Sequence, residues 1–352
     1  MTIQISELAD YGWDNFFTSQ LDPDDLDDFI PARVKSVHRS QIQVIGVDLD
    51  RMTMPYSSVD GDGKTATVGD WLLLEPETYR PKRLLERKSI FKRRAVGSNR
   101  SEQLIAANVD TLFIVASCNF DFNIARLERY LSLAHEAHVT PVIILTKADL
   151  VDEPEEYARS VTALQPNLLV EMVDARDLVS SKCLQPWCGH GQTVALVGSS
   201  GVGKSTLINT LIGDDQIKTR DVREDDAKGR HTTTSRTLHR LPEGGWLVDT
   251  PGMRELQLTE VEEGIKEVFA DIVELAADCK FSDCKHAKEP GCAVQAAVAD
   301  ETLDKSRLKR WQKLAAEEAY NTENFAQRHE RDRKFGKQIK KAKKDKHHWR
   351  DD

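Results

Sequence analysis

Long apolar runs are what this sequence most plainly lacks. The longest in its 352 residues, such as Leu112–Ala116 and Val142–Leu145, have the length of a strand, far short of the roughly 20 residues that cross a bilayer. Met1–Trp13 carries no basic cluster followed by an apolar stretch, which argues against a secretory signal. Cysteine is also scarce, and six in a chain of this size make no disulfide framework. These absences exclude a membrane span and a disulfide-stapled secreted scaffold. The expectation is a soluble, cytoplasmic protein with no membrane contact and, by default, a monomer. A hydrophobic fraction of 39% is ample for buried cores, and the length suits two or three domains.

Charge is unevenly spread. The formal net charge is −9, yet Arg328–Asp352 holds eleven Lys/Arg against five Asp/Glu, leaving the remaining chain at −15. Arg80–Arg100 is a second basic stretch. An acidic body with a basic tail suits a polyanionic partner held at one end; a tail that merely keeps the protein soluble is the alternative.

Residues 1–30 read as an acidic extension with at most a short helix. From Pro31 the pattern turns to short alternating segments, Ala32–Val37 and Gln41–Val44. Asp-Gly and Gly-Asp turn signals follow at Asp60–Gly63 and Gly69–Asp70, then Trp71–Leu74. That predicts a small antiparallel barrel over 31–88, either an oligonucleotide-binding (OB) barrel or an SH3-like one. Arg87–Arg100 reads as a basic linker. Over 101–259 strand and helix patterns alternate: strands at 110–116, 141–145, 168–173, 194–197 and 246–248, helices at 124–134, 155–164 and 205–212. Such alternation predicts a parallel sheet covered by helices, an α/β core. Residues 260–352 read as helical and end in the lysine-rich tail.

Gly198-Ser199-Ser200-Gly201-Val202-Gly203-Lys204-Ser205, followed by Thr206, matches the phosphate-binding pattern G-x-x-x-x-G-K-[ST], with a strand before it and a helix after it. Its glycines let successive amides turn toward phosphate oxygens, and the helix N-terminus adds partial positive charge. Lys204 is placed to reach the β- and γ-phosphates and Ser205 to offer its hydroxyl to Mg²⁺.

Thr146-Lys147-Ala148-Asp149 follows the strand 142–145. At that position a carboxylate can accept the ring N–H and the exocyclic amino hydrogen of guanine, which adenine does not present together. Lys147 can lay its aliphatic stem over the base. The usual motif opens with Asn, and Thr146 is expected to lose one supporting contact. Asp249-Thr250-Pro251-Gly252 closes the strand 246–248, with Asp249 suited to support Mg²⁺ and the Gly252 amide to sense the γ-phosphate. The base-reading segment thus precedes the phosphate loop and Asp249–Gly252 comes last. If the three share one nucleotide, the domain is circularly permuted.

With that order, and with Ala106-Ala107-Asn108-Val109-Asp110 and Gly229-Arg230-His231-Thr232-Thr233-Thr234 also present, about 250 residues resemble the circularly permuted RsgA (YjeQ) family of ribosome small-subunit-dependent GTPases. The resemblance implies an N-terminal OB barrel, a P-loop GTPase core and a C-terminal zinc-binding domain. It also implies a part in late maturation of the small (30S) ribosomal subunit, with hydrolysis stimulated by that particle. By the family pattern, Thr233 completes the Mg²⁺ shell of a first switch. Many GTPases orient the attacking water with a Gln directly after D-x-x-G; Met253 stands there. His231 is the best local substitute, in line with the resemblance, as an imidazole able to orient or deprotonate water.

Cys279, Cys284, His286 and Cys292 place three thiolates and an imidazole within fourteen residues. This is a closed tetrahedral donor set, expected to hold one structural zinc ion. Cys183, Cys188 and His190 repeat the first three spacings without a fourth ligand and read as a decoy. Cys118 reads as a small buried apolar residue. For RNA phosphates the candidates are Arg93, Arg94 and Arg100, with Arg331, Arg333, Lys334, Lys337, Lys340, Lys341, Lys343 and Lys344 in the tail. The leading expectation is a GTP-hydrolysing enzyme acting on the small subunit and its rRNA. A GTP-dependent RNA-binding placeholder with vestigial hydrolysis, and a nucleic-acid-dependent ATPase, are the rivals.

Overall fold

The computed structural model describes residues 4–56, 65–94, 102–213, 236–249 and 261–322. The acidic N-terminal segment is not a loose extension. It forms short helices α1 (Ile5–Leu8), α2 (Asn15–Thr18) and α3 (Asp25–Asp28), and Leu8 of α1, Trp13 between helices and Phe17 of α2 are buried against Trp71, Leu73 and Leu85. Trp13 meets Trp71 edge-on, ring centroids 4.8 Å apart. The buried side chains are spaced by turns rather than by a helical period, so periodicity does not find them.

Strands β1 (Ile30–Val37), β2 (Ile42–Gly46), β3 (Leu49–Thr53), β4 (Trp71–Leu74) and β5 (Pro81–Leu84) pair antiparallel in the order β3-β2-β1-β4-β5. Ala32, Val34, Ile42, Val44, Leu72 and Leu74 fill one side. Trp71 and Leu73 face the N-terminal helices instead, which is why β4 is a continuous apolar run. The stretch expected to be a linker contains β6 (Ile90–Arg94), which pairs with β7 (Glu102–Ala107). Phe91, Ile105 and Ala106 anchor this hairpin in the core; the surrounding basic residues mask that apolar content in a composition-based reading.

The central sheet has the order β10-β9-β8-β11-β13-β12. Strands β8 (Thr111–Ser117), β9 (Thr140–Thr146), β10 (Leu169–Val173), β11 (Thr193–Val197) and β13 (Trp246–Asp249) are parallel, and β12 (Arg236–Arg240) is antiparallel to β13. Helices α4 (Ile124–Glu136) and α5 (Pro154–Thr162) pack on one face, and α6 (Lys204–Ile212) on the other. Successive strands run from β8 out to β10, and β11 returns to the other side of β8. The crevice that this reversal opens at the carboxyl ends of β8 and β11 is where ligands of open α/β sheets bind.

Two features join the N-terminal strands to this sheet. Strand β12 also pairs with β1, Ser36 opposite Thr237 and Val37 opposite Arg236, so one eleven-stranded sheet runs through both units. Arg33, 1% exposed, donates to the carbonyls of Tyr11 (2.7 Å) and Asn108 (3.1 Å) and to Thr193 Oγ1 (2.8 Å). Burial lowers its pKa to about 10, still fully charged at neutral pH. Asn108, in the left-handed region at φ 55°, donates from Nδ2 to the Gly69 carbonyl and accepts from the Lys88 amide. Ala106–Asp110 is therefore a structural joint.

The C-terminal helices α7 (Glu262–Val268), α8 (Ala270–Ala277), α9 (Ala293–Ala299) and α10 (Lys305–Thr322) share the core that lies under α4. Gly264 makes this close approach possible, because a Cβ there would sit 2.0 Å from the Ser132 carbonyl oxygen. Glu128 on α4 is fully buried and accepts from Arg310 Nε at 2.7 Å and Arg307 Nη1 at 3.4 Å. Beside it Arg129 forms a two-pronged pair with Glu317. Burial raises the Glu128 pKa against the pull of both arginines. Glu128→Ala would leave Arg310 without its carboxylate on the α4–α10 contact, while Arg307 keeps Asp271 (Nε 2.7 Å, Nη2 2.8 Å), and both arginines keep some access to water. A loss of roughly 2–3 kcal/mol is expected, below the full cost of breaking a buried pair, and urea unfolding checks it. Among the described residues no helix is long and apolar enough to cross a membrane.

Candidate functional site

Sheet register brings the separate motifs to one edge. Ser117 at the end of β8 lies opposite Thr146 at the end of β9. Val197, the last residue of β11, lies opposite Ile114 of β8. Ala195 lies opposite Val248, which puts Asp249 at the same carboxyl edge. Gly198 turns out of β11 at φ 144°, and a Cβ on it would lie 2.2 Å from the Val115 carbonyl oxygen. Only glycine allows the loop to start that close to β8.

The glycine-rich loop at 198–205 and the segment at 146–149 touch. Thr146, 1% exposed, donates from Oγ1 to the Val202 carbonyl at 2.6 Å, with the Ala116 carbonyl 3.2 Å away. A threonine hydroxyl at this position thus ties the segment to the loop. Lys147, at φ 59°, donates from Nζ to the Gly201 carbonyl at 2.8 Å, so its stem bridges the two segments. Ala148 and Asp149 begin a single turn of 3₁₀ helix (Ala148–Leu150). Lys204 is 7% exposed and donates to the carbonyls of Gly198 (2.7 Å) and Ser199. Ser205 and Thr206 lie in the first turn of α6, whose amino end faces the loop. Gly252, His231 and Thr233 lie outside the described residues, as do Arg100 and the lysine-rich tail.

A third segment borders the site. Asp174, Ala175 and Arg176 follow β10 at the same edge. Ala175 accepts from Thr210 Oγ1 on α6 at 2.7 Å, and its Cβ lies 3.7 Å from where a Cβ on Gly203 would be. Arg176 donates from Nε to Asp174 Oδ1 and from Nη2 to Asp174 Oδ2, both at 3.0 Å, and from Nη2 to Asp149 Oδ2 at 3.0 Å. These hydrogen bonds hold the Asp174 carboxyl below its ordinary pKa. The sequence reading passes over this segment. The signal was available: an Asp directly after a parallel strand, at the carboxyl edge where Asp149 also lies.

The cysteine cluster forms far from this edge in sequence, between α8 and α9. Cys279 Sγ lies 3.6 Å and Cys292 Sγ 3.5 Å from His286 Nδ1, the two sulfurs are 3.9 Å apart, and all four donor atoms, Cys284 included, fall within 4.8 Å of one another. A tetrahedral zinc ion requires S···S edges of about 3.8 Å and S···N edges of about 3.5 Å. The donor set therefore fits zinc in identity and in spacing. Sulfur is further engaged by amides, His286 N–H to Cys284 and Gln295 N–H to Cys292, both at 3.4 Å. Burial opposes ionisation of Cys279, but hydrogen bonds from the Val294 and Ala293 amides, with those from Cys292 and Cys284, together hold this thiol below its ordinary pKa. The decoy set forms no such cluster among the described residues. Cys188 and Cys118 are buried, with thiol pKa values pushed up by burial to about 12 and about 11.

Comparison with known proteins places these features in context. The family model described as RsgA GTPase matches residues 84–259. An ABC transporter model matches residues 185–334, a span containing the glycine-rich loop at 198–205. The small ribosomal subunit biogenesis GTPase RsgA 2 of Vibrio parahaemolyticus is 50% identical over 96% of this chain and 93% of its own. The small ribosomal subunit biogenesis GTPase RsgA of Mesorhizobium japonicum is 52% identical over 92% of this chain and 93% of its own. Among solved structures, YjeQ from Thermotoga maritima superposes with a TM-score of 0.61 at 23% identity, covering 81% of this chain and 97% of that one. YloQ, described as a circularly permuted GTPase, gives 0.59 at 23% identity over 84% and 97%.

Proposed function

We propose, from the premise that this chain belongs to the RsgA GTPase family, that it hydrolyses GTP as a timing step in late maturation of the small ribosomal subunit, and that the subunit stimulates the hydrolysis. The observation that carries the reading is the contact between the loop at 198–205 and the segment at 146–149, made by Thr146 and Lys147. A nucleotide seated on Lys204 with its base toward Asp149 is addressed at both ends by a single permuted site.

In this reading the loop amides and Lys204 hold the phosphates, leaving the two carbonyls that now accept from Lys204. Asp149 selects guanine. Ser205, Thr233 and Asp249 are the oxygen donors suited to Mg²⁺, a hard cation. When bound, that ion neutralises charge shared by the β- and γ-phosphates. His231 orients the attacking water or accepts its proton, and Gly252 senses the γ-phosphate. Cys279, Cys284, His286 and Cys292 hold one structural zinc. The strand order β3-β2-β1-β4-β5 around an apolar interior supports an OB barrel, and the basic tail suits rRNA phosphates.

Phosphate release measured with and without purified small subunits is the test. Stimulation is expected with wild type, and His231→Ala should lower the stimulated rate about a hundredfold, at the lower end for loss of a general base. Met253, where a water-orienting Gln is common, favours a second reading, a GTP-dependent RNA-binding placeholder with vestigial hydrolysis. A release rate that subunits leave unchanged would establish that alternative.

A further inference from the structure

Arg176 is the one side chain that touches the base-reading carboxylate in the described structure. Its Nη2 bridges Asp149 Oδ2 and Asp174 Oδ2, each at 3.0 Å. Guanine recognition by Asp149 takes both carboxylate oxygens in one plane, one for the ring N–H and one for the amino group. The oxygen now held by Arg176 is one of the two. Each carboxylate oxygen has two acceptor sites, so Arg176 competes with guanine through the lone pair it occupies and the carboxylate charge it neutralises.

Release of Arg176 is easy because a second seat is already formed. Asp174 holds the guanidinium through Nε as well as Nη2, and accepts from the Arg176 backbone N–H at 3.0 Å. Giving up Asp149 costs Arg176 one hydrogen bond of three. Its side chain is 67% exposed, so water takes the freed position.

We propose that Arg176 is a counterion gate: it pairs with Asp149 in the nucleotide-free protein and passes wholly to Asp174 when guanine takes the carboxylate. The inference rests on Asp149 reading guanine. Its physical content is a competition between an exposed ion pair and a ligand, so it is modest in size and sensitive to salt.

The test is equilibrium and stopped-flow binding of fluorescent GDP to the full chain. Arg176→Ala is expected to tighten GDP binding about two- to fivefold, the range that loss of an exposed competing pair allows. The gain should shrink between roughly 0.05 and 0.5 M salt, where charges on the surface become screened. In an Asp149→Asn background, read with fluorescent xanthosine diphosphate, removing Arg176 should have no such effect, since no carboxylate remains to be paired. A merely structural role for Arg176 would weaken binding in both backgrounds without this salt dependence. Unchanged or weaker GDP binding in Arg176→Ala, with Asp149→Asn still switching to xanthine, overturns the gate and leaves the base assignment standing. If Asp149→Asn does not switch, both fall together.

Discussion

Asp149→Asn is expected to exchange guanine for xanthine as the preferred base, a reversal of about three orders of magnitude in the ratio of GTP to XTP affinity. The carboxylate offers two acceptors to two donors on guanine. Asparagine offers one acceptor and one donor, so it leaves the guanine amino group facing an N–H. Xanthine carries a carbonyl in place of that amino group and restores the match. Each hydrogen bond to a charged partner contributes about 1.5–3 kcal/mol, and a site built for such bonds rejects a mismatched partner strongly. One bond lost for guanine and one gained for xanthine give the expected size. Thr146 and Lys147 hold the segment to the phosphate loop independently of Asp149, so the substitution should leave triphosphate binding intact. Titration with fluorescent GDP and xanthosine diphosphate reads the result. Undiminished guanine preference would remove Asp149 from the base site.

What made this site readable was backbone chemistry. Glycines at 198, 201 and 203 with Lys204 and Ser205 signal a phosphate loop at any place in a chain, and a carboxylate after a buried strand signals a ligand edge. The order of the segments then implied the permutation. Harder to read were contacts whose residues carry no local pattern. Strand β12 is Arg-Thr-Leu-His-Arg, and nothing in it foretells pairing with β1 as well as β13. Arg33 sits in an alternating strand as if exposed, yet it is buried where the N-terminal segment, β1 and β11 meet. Glu128 occupies a helix face otherwise filled by Leu127, Leu131 and Ala134, and only the fold supplies Arg307 and Arg310. Each is a long-range polar contact, and such contacts depend on topology rather than on neighbours in sequence.

Zinc removal is expected to unfold one part of the molecule and spare the rest. Residues 278–292 contain no helix or strand between α8 and α9, and the buried residues among them are His286 and Cys292, both members of the donor set. With no apolar core of its own, the segment is expected to depend on the proposed zinc for its conformation. Cys292 also caps α9 by accepting from the Gln295 amide, so loss of the ion should loosen that helix too. Helices α7 and α10 have separate support, Gly264 against α4 and Arg310 on Glu128. Cys292→Ser, or a strong chelator, should therefore lower bound zinc from one ion per chain toward none. Amide exchange over 278–299 should rise by several orders of magnitude, because isolated zinc-dependent folds draw about 10–16 kcal/mol from the metal. Over α4 exchange should change little, and GDP affinity should hold within about twofold, since the nucleotide edge shares no donor with the cluster. Hydrogen exchange with mass spectrometry, alongside metal analysis, distinguishes these regions. Protection over 278–299 that persists in metal-free protein would mean the four donors are held together by the helices, and the metal would then have no structural part there.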